Sequence, residues 1–128
     1  MSSNLRVLVA DDQADVRYAL RTLLQLAGEL QVEVVGEVAD AGSLLNAIES
    51  LRPDVLLLDW KLPGLRAVAY LRMCYPNLRI IVLSVRAEAR QAALDAGADA
   101  FVFKGDPVER LVEAIQQVRR TFDEPSDT

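Results

Sequence analysis

The strongest constraint on the fold is an alternation repeated five times along the chain. Short β-rich aliphatic runs, "LRVLVA" (5–10), "VEVVGEV" (32–38), "DVLLLD" (54–59), "LRIIVLS" (78–84) and "AFVF" (100–103), are separated by stretches of helical period at about 14–27, 41–51, 65–74, 87–96 and 107–122. Strands joined by helical crossovers run parallel and bury both faces. The pattern therefore predicts an α/β domain with helices on both sides of a parallel sheet. Val16, Leu20, Leu23, Leu24 and Ala27 form the inward face of the first helix, and Val108, Leu111, Val112, Ile115, Val118 and Phe122 that of the last. Gly28 and Gly97 stand where helices should stop, and Pro53, Pro76 and Pro107 mark boundaries. The unbroken aliphatic runs at 54–59 and 78–84 suit central strands. Residues 1–122 are expected to form the domain and 123–128, "DEPSDT" with its preceding Phe122 excluded, a polar tail or the start of a linker.

At 128 residues the chain has the size of one domain. Its net charge of -5 argues against sequence-independent binding to nucleic acid or to an anionic membrane surface. No apolar run approaches the length of a membrane span, so a cytoplasmic location is expected. The chain has no histidine, which removes Ser/His triads and histidine metal sites. Its one cysteine, Cys74, lies in "LRMCYP" without metal-ligand spacing and reads as a half-buried helix thiol.

In an open α/β sheet, ligands bind beyond the carboxyl ends of the strands. Those ends carry Asp11 and Asp12, Asp59, Ser84 and Lys104. Singly, each has an ordinary structural use as a cap, a turn residue or a solvated tip. Together they are a poor structural set, because clustered carboxylates repel unless a cation or a proton intervenes. Mg²⁺ resolves the conflict, since it takes oxygen ligands and suits one or two carboxylates that also receive phosphate oxygens. An oxygen nucleophile, a metal and positive charge for the equatorial oxygens are what phosphoryl transfer requires.

The segments "VLVADD", "PDVLLLDWKLPG", "IIVLS" and "AGADAFVFK" together resemble the receiver domain of two-component response regulators over nearly the whole chain. The resemblance implies a flavodoxin-like sheet of order 2-1-3-4-5. It implies that Asp59 accepts a phosphoryl group from a sensor histidine kinase. Asp12 would bind Mg²⁺ directly, with Asp11 assisting and the Lys61 backbone carbonyl as a further ligand. Ser84 and Lys104 would bind the phosphoryl oxygens, and Phe101 matches the aromatic switch position. Such a domain is a signalling element rather than an enzyme in its own right. It passes its change to an output partner or fused effector domain outside this chain, with homodimerisation possible and no direct contact with nucleic acid or membrane.

Four features depart from the family pattern. Val85 follows Ser84 where a small residue is usual and is expected to narrow the phosphate mouth. The segment from there to Lys104 is about two residues short, at the fourth strand or helix. Arg66 and Ala67 replace an acid and a glycine, and Gly105 stands where proline is common. The fourth helix, "AEARQAALDA", has one large apolar residue, Leu94, and is expected to be among the less stable elements. A receiver-like module that binds partners without phosphorylation is the alternative function. A phosphohydrolase of the haloacid dehalogenase type would need a second acid two residues after Asp59, where Lys61 stands. Flavin binding would need a phosphate loop after the first strand.

Overall fold

The computed structural model describes residues 4–64 and 68–123, apart from the side chains of 122 and 123. Five strands, β1 (Leu5–Ala10), β2 (Val32–Val38), β3 (Val55–Asp59), β4 (Arg79–Ser84) and β5 (Ala100–Phe103), form one sheet of order β2-β1-β3-β4-β5. All four pairings are parallel. The helices are α1 (Ala14–Leu26), α2 (Ala41–Leu51), α3 (Val68–Cys74), α4 (Arg90–Asp95) and α5 (Val108–Asp123). The fold is the flavodoxin-like one, and every strand falls within one residue of its expected bounds.

Period-two alternation along the strands divides the core into two layers. Leu8, Leu56, Leu58, Ile80, Val82 and Phe101 face one way, against α2, α3 and α4. Val7, Val9, Leu57, Ile81, Leu83 and Val102 face the other, against Leu24 of α1 and Leu111, Ile115 and Val118 of α5. The central strand β3 is buried from Val55 to Leu58 and emerges only at Asp59. Its apolar content thus positions the acid: the strand cannot slip by one residue without turning its side chains to the opposite layer.

The helix boundaries have local causes. Asp40 caps α2, its side chain accepting the Ser43 N–H at 2.7 Å. α4 stops at Gly97, whose φ of +114° is open to glycine and costly for other residues. Gly28 plays a different part from the one expected: α1 ends one residue earlier, and Gly28 opens a 3₁₀ turn, Gly28–Leu30. The fourth helical segment is divided into a 3₁₀ turn (Ala87–Ala89) and the six-residue α4. At the far end of α4, Arg72 of α3 donates to the Gly97 carbonyl at 3.0 Å and the Leu78 carbonyl at 2.6 Å, and pairs with Asp99 at 2.5 Å. Three connections are tied to one guanidinium.

Some expectations are corrected. Cys74, at the end of α3, is exposed rather than half-buried, because the inward face of that helix is already taken by Val68 and Leu71. Val108 is 54% exposed, since it opens the first turn of α5 before the helix has come down onto the sheet. Residues 65–67 of the expected third helical segment, Arg66 and Ala67 among them, lie outside the described residues, as do residues 124–128 of the expected tail. Among the described residues no helix is long and apolar enough to cross a membrane.

Leu56 is fully buried in the layer facing α2 and α3, whereas Leu26, on the outer side of α1, is 79% exposed. Leu56→Ala is expected to cost about 2–5 kcal/mol in chemical denaturation. Leu26→Ala should stay within about 0.5 kcal/mol of the parent protein.

Candidate functional site

The carboxyl ends of β1, β3, β4 and β5 open onto one edge of the sheet, and the residues singled out from the sequence meet there. One carboxylate oxygen from each of Asp11, Asp12 and Asp59 lies within 4.8 Å of the other two. Asp11 is buried at 2% exposure, Asp59 is half-buried and Asp12 is exposed. The acids therefore form a graded series from the sheet to solvent.

Lys104, just past the end of β5, reaches into this cluster. Its ammonium stands 2.9 Å from Asp11 Oδ2 and 3.3 Å from Asp59 Oδ1. The reach depends on the neighbouring strand, because the Lys104 backbone N–H donates to the Ser84 carbonyl at 2.7 Å. Gly105 allows the next turn. A Cβ there would lie 2.4 Å from the Phe103 ring, so the ring occupies the space that a side chain would need.

Ser84 is buried at 1% exposure on the strand beside β3, one residue beyond the Asp59–Leu83 pair. Its Oγ accepts the Arg86 N–H at 3.0 Å and retains its own hydrogen to donate. Lys61 and Val85 flank the site and are exposed, Val85 at 64%. The bulk of Val85 thus lies mainly in solvent. Phe101 does not reach the cluster: it is 8% exposed in the layer that also holds Ala89 and Ala93 beneath α4.

Burial pushes the Asp59 carboxyl above the ordinary carboxylate range. The Lys104 charge opposes this, Asp11 adds to it, and burial prevails. Burial also works against the charged form of Lys104, but the hydrogen bond to Asp11 and the charges of Asp59 and Asp11 outweigh it and hold Lys104 above its usual value. The set is entirely of oxygen donors, which suits a hard cation. It is held short of neutrality, with one ammonium facing three acids.

Sequence reasoning missed a second ring of contacts. Arg17 of α1 donates to the Asp11 carbonyl at 2.7 Å and lies 3.5 Å from Glu37 of β2. Arg21 pairs with the same glutamate. The available signal was the Arg17/Arg21 spacing of four on α1, which puts two cations on one helical face, together with an acid interrupting a valine-rich strand.

Comparison with known proteins agrees with the geometry. A family model described as the response regulator receiver domain matches residues 7–116. The chain is 32% identical to the chemotaxis protein CheY of Thermotoga maritima over 120 residues, covering 90% of this chain and 98% of that protein. It is 33% identical over 118 residues to the transcriptional regulatory protein BtsR of Salmonella typhi, covering 91% of this chain but 48% of the relative. The chain thus spans about half the length of that regulator. Among solved structures, the isolated REC domain of RcsB from Salmonella enterica serovar Typhimurium, in the presence of the phosphomimetic BeF3-, superposes with a TM-score of 0.83 at 28% identity. That match covers 92% of this chain and 90% of the other.

A carboxyl whose folded-state pKa is raised binds its proton more tightly in the folded state. Its ionisation therefore costs stability as pH rises from the unfolded value through the folded one. Asp59→Asn is accordingly expected to melt at a higher temperature than the parent near neutral pH in the presence of a chelator. The difference should shrink as pH falls below the ordinary carboxylate range, and thermal melts across pH measure it.

Proposed function

This chain belongs to the response regulator receiver family, a family of signalling domains, and from that premise we propose that Asp59 is the phospho-acceptor of a Mg²⁺-dependent switch served by a sensor histidine kinase. The observation that carries the reading is the convergence of Asp11, Asp12 and Asp59 with the Lys104 ammonium at one sheet edge. In the reaction, an Asp59 carboxylate oxygen attacks the phosphorus of a phosphohistidine. The P–N bond breaks, its electron pair leaves with the imidazole, which takes a proton, and an acyl phosphate remains on Asp59.

The residues divide the work by position. Lys104, already 3.3 Å from Asp59, meets the negative charge carried by the arriving phosphoryl oxygens. Ser84 offers a hydroxyl hydrogen from the adjacent strand. Mg²⁺, held by the carboxylates of Asp11, Asp12 and Asp59 and the Lys61 carbonyl, would supply the remaining positive charge at those oxygens. A groove of about 360 Å³ beside Lys104, lined in part by Val16, Leu20, Leu23, Pro107 and Leu111, would offer a histidine-bearing partner apolar surface on the Lys104 side of the site.

A phosphoryl group adds charge and acceptor oxygens at Asp59 and shifts an existing equilibrium by favouring whichever conformation binds it better. Ser84 is the link to α4, because its Oγ holds the Arg86 N–H one residue before the 3₁₀ turn. Phe101 lies in the core layer under the same segment. Output then passes to an effector or partner outside this chain. BtsR, a transcriptional regulator about twice as long, illustrates that arrangement, and homodimerisation is a second route.

Wild-type protein treated with acetyl phosphate and Mg²⁺ is expected to gain one phosphoryl group by intact mass, and neither Asp59→Asn nor Mg²⁺-free wild type should gain it. Equal labelling of Asp59→Asn would remove Asp59 from its role. With beryllofluoride bound, amide hydrogen exchange is expected to change across residues 84–105. Unchanged exchange there would favour a module that binds its partners regardless of phosphorylation.

A further inference from the structure

Strand β2 does not pair evenly with β1. Val7 faces Val34, but Leu8 faces Gly36, so Val35 is an extra residue. Paired residues on parallel strands point to the same side of the sheet, and the bulge therefore reverses the alternation of β2 halfway along. Before it, Val32 and Val34 pack into the layer beneath α1 and α5. After it, Gly36 and Val38 turn to the opposite layer, where a Cβ on Gly36 would lie 2.7 Å from Leu51 Cδ1. Glu37, paired with Val9, is thereby turned toward α1. With even pairing it would have pointed into the layer of α2.

The reversal brings Glu37 to Arg17, and Arg17 to Asp11. Asp11 is then held at both of its peptide groups by adjacent residues of β2. Its N–H donates directly to the Val38 carbonyl at 3.0 Å, and its carbonyl accepts from Arg17 Nη1 at 2.7 Å while Glu37 lies 3.5 Å from Arg17 Nε. The Asp11 side chain is fixed separately, by the Gln13 N–H at 2.9 Å and by Lys104. A guanidinium shared between a carboxylate and a carbonyl has its donors in a rigid plane, so fixing one partner fixes the other. Arg17 and Glu37 are mostly buried, with side chains 19% and 22% exposed, which shields the pair from solvent screening.

We infer that Arg17, braced by Glu37, is a positioning residue for the cation site: it fixes the peptide of Asp11 and so the turn from which Asp11 and Asp12 present their carboxylates. The inference rests on the reading of that cluster as a Mg²⁺ site. Neither residue touches the phosphoryl group in this scheme, and their effect runs through the placement of the acids.

The test is a Mg²⁺ titration of wild type, Arg17→Gln, Glu37→Gln and the double variant, followed by calorimetry and by the fluorescence of Trp60, the sole tryptophan and the residue next to Asp59. Arg17→Gln is expected to raise the half-saturating Mg²⁺ concentration about tenfold. Glu37→Gln should raise it less, and the double variant no more than Arg17→Gln alone, because the two residues act in series. Saturating Mg²⁺ should restore the acetyl phosphate labelling rate of both variants, and Arg17→Lys should recover part of the affinity. Wild-type Mg²⁺ affinity in Arg17→Gln would overturn the inference, as would strictly additive effects. If Arg17→Gln fails to fold, Glu37→Gln decides by the same criterion, its wild-type affinity again overturning the inference. Failure of the wild type itself to bind Mg²⁺ would instead overturn the metal reading, and this inference with it.

Discussion

Three carboxylates gathered within 4.8 Å cannot all stay ionised on a folded surface without a positive charge between them. In this protein Lys104 supplies that charge, bridging Asp11 and Asp59 from the end of the neighbouring strand pair. Much of the architecture follows from this requirement. β5 must lie beside β4 to bring the lysine across, and β1 must lie beside β3 to bring the acids together. The parallel sheet sets all four strand ends on one edge, and the two aliphatic layers hold them in register. A single ammonium leaves the cluster short of neutrality, which is the condition that suits a divalent cation.

The sequence made the strands and the site legible for the same reason. Buried parallel strands are nearly continuous aliphatic runs, so a charged residue at the end of one stands out, as Asp59 does after "VLLL". Side chains that converge in space were visible because each terminated such a run. The second ring was legible only in part: the spacing of Arg17 and Arg21 puts two cations on one helical face, but does not say which acid they meet. Glu37 meets Arg17 only because β2 carries an extra residue, and nothing in the alternation of "VEVVGEV" marks Val35 as the one out of step. Strict period-two reading assigns Glu37 to the wrong face. Cys74 and Val108 were misjudged for a simpler reason: helical periodicity says which side a residue is on, but not whether the helix end lies close enough to the sheet to bury it.

The departures from the family pattern separate by what surrounds them. Gly105 has a clear physical place, since the Phe103 ring fills the volume a side chain would take, and Lys104 reaches the acids with glycine after it. Val85 stands exposed beside the site, on the strand end that carries Ser84. The fourth helical segment consists of a 3₁₀ turn and a helix of less than two turns.

That short helix is fastened unequally. Its far end is tied through Gly97 and Asp99 to Arg72, and through Arg72 to the start of β4. Its near end is joined to Ser84 by the Arg86 N–H and seated on the core through Ala89. Mechanically the segment resembles a beam held more firmly at the end remote from Asp59 than at the end beside it. A push delivered at Ser84 would act on the less firmly held end, where a given force yields the larger deflection, while the ties at the opposite end keep it in place. Any such swing would turn about the end held by Arg72, which lies beyond the other end of the helix from Ser84.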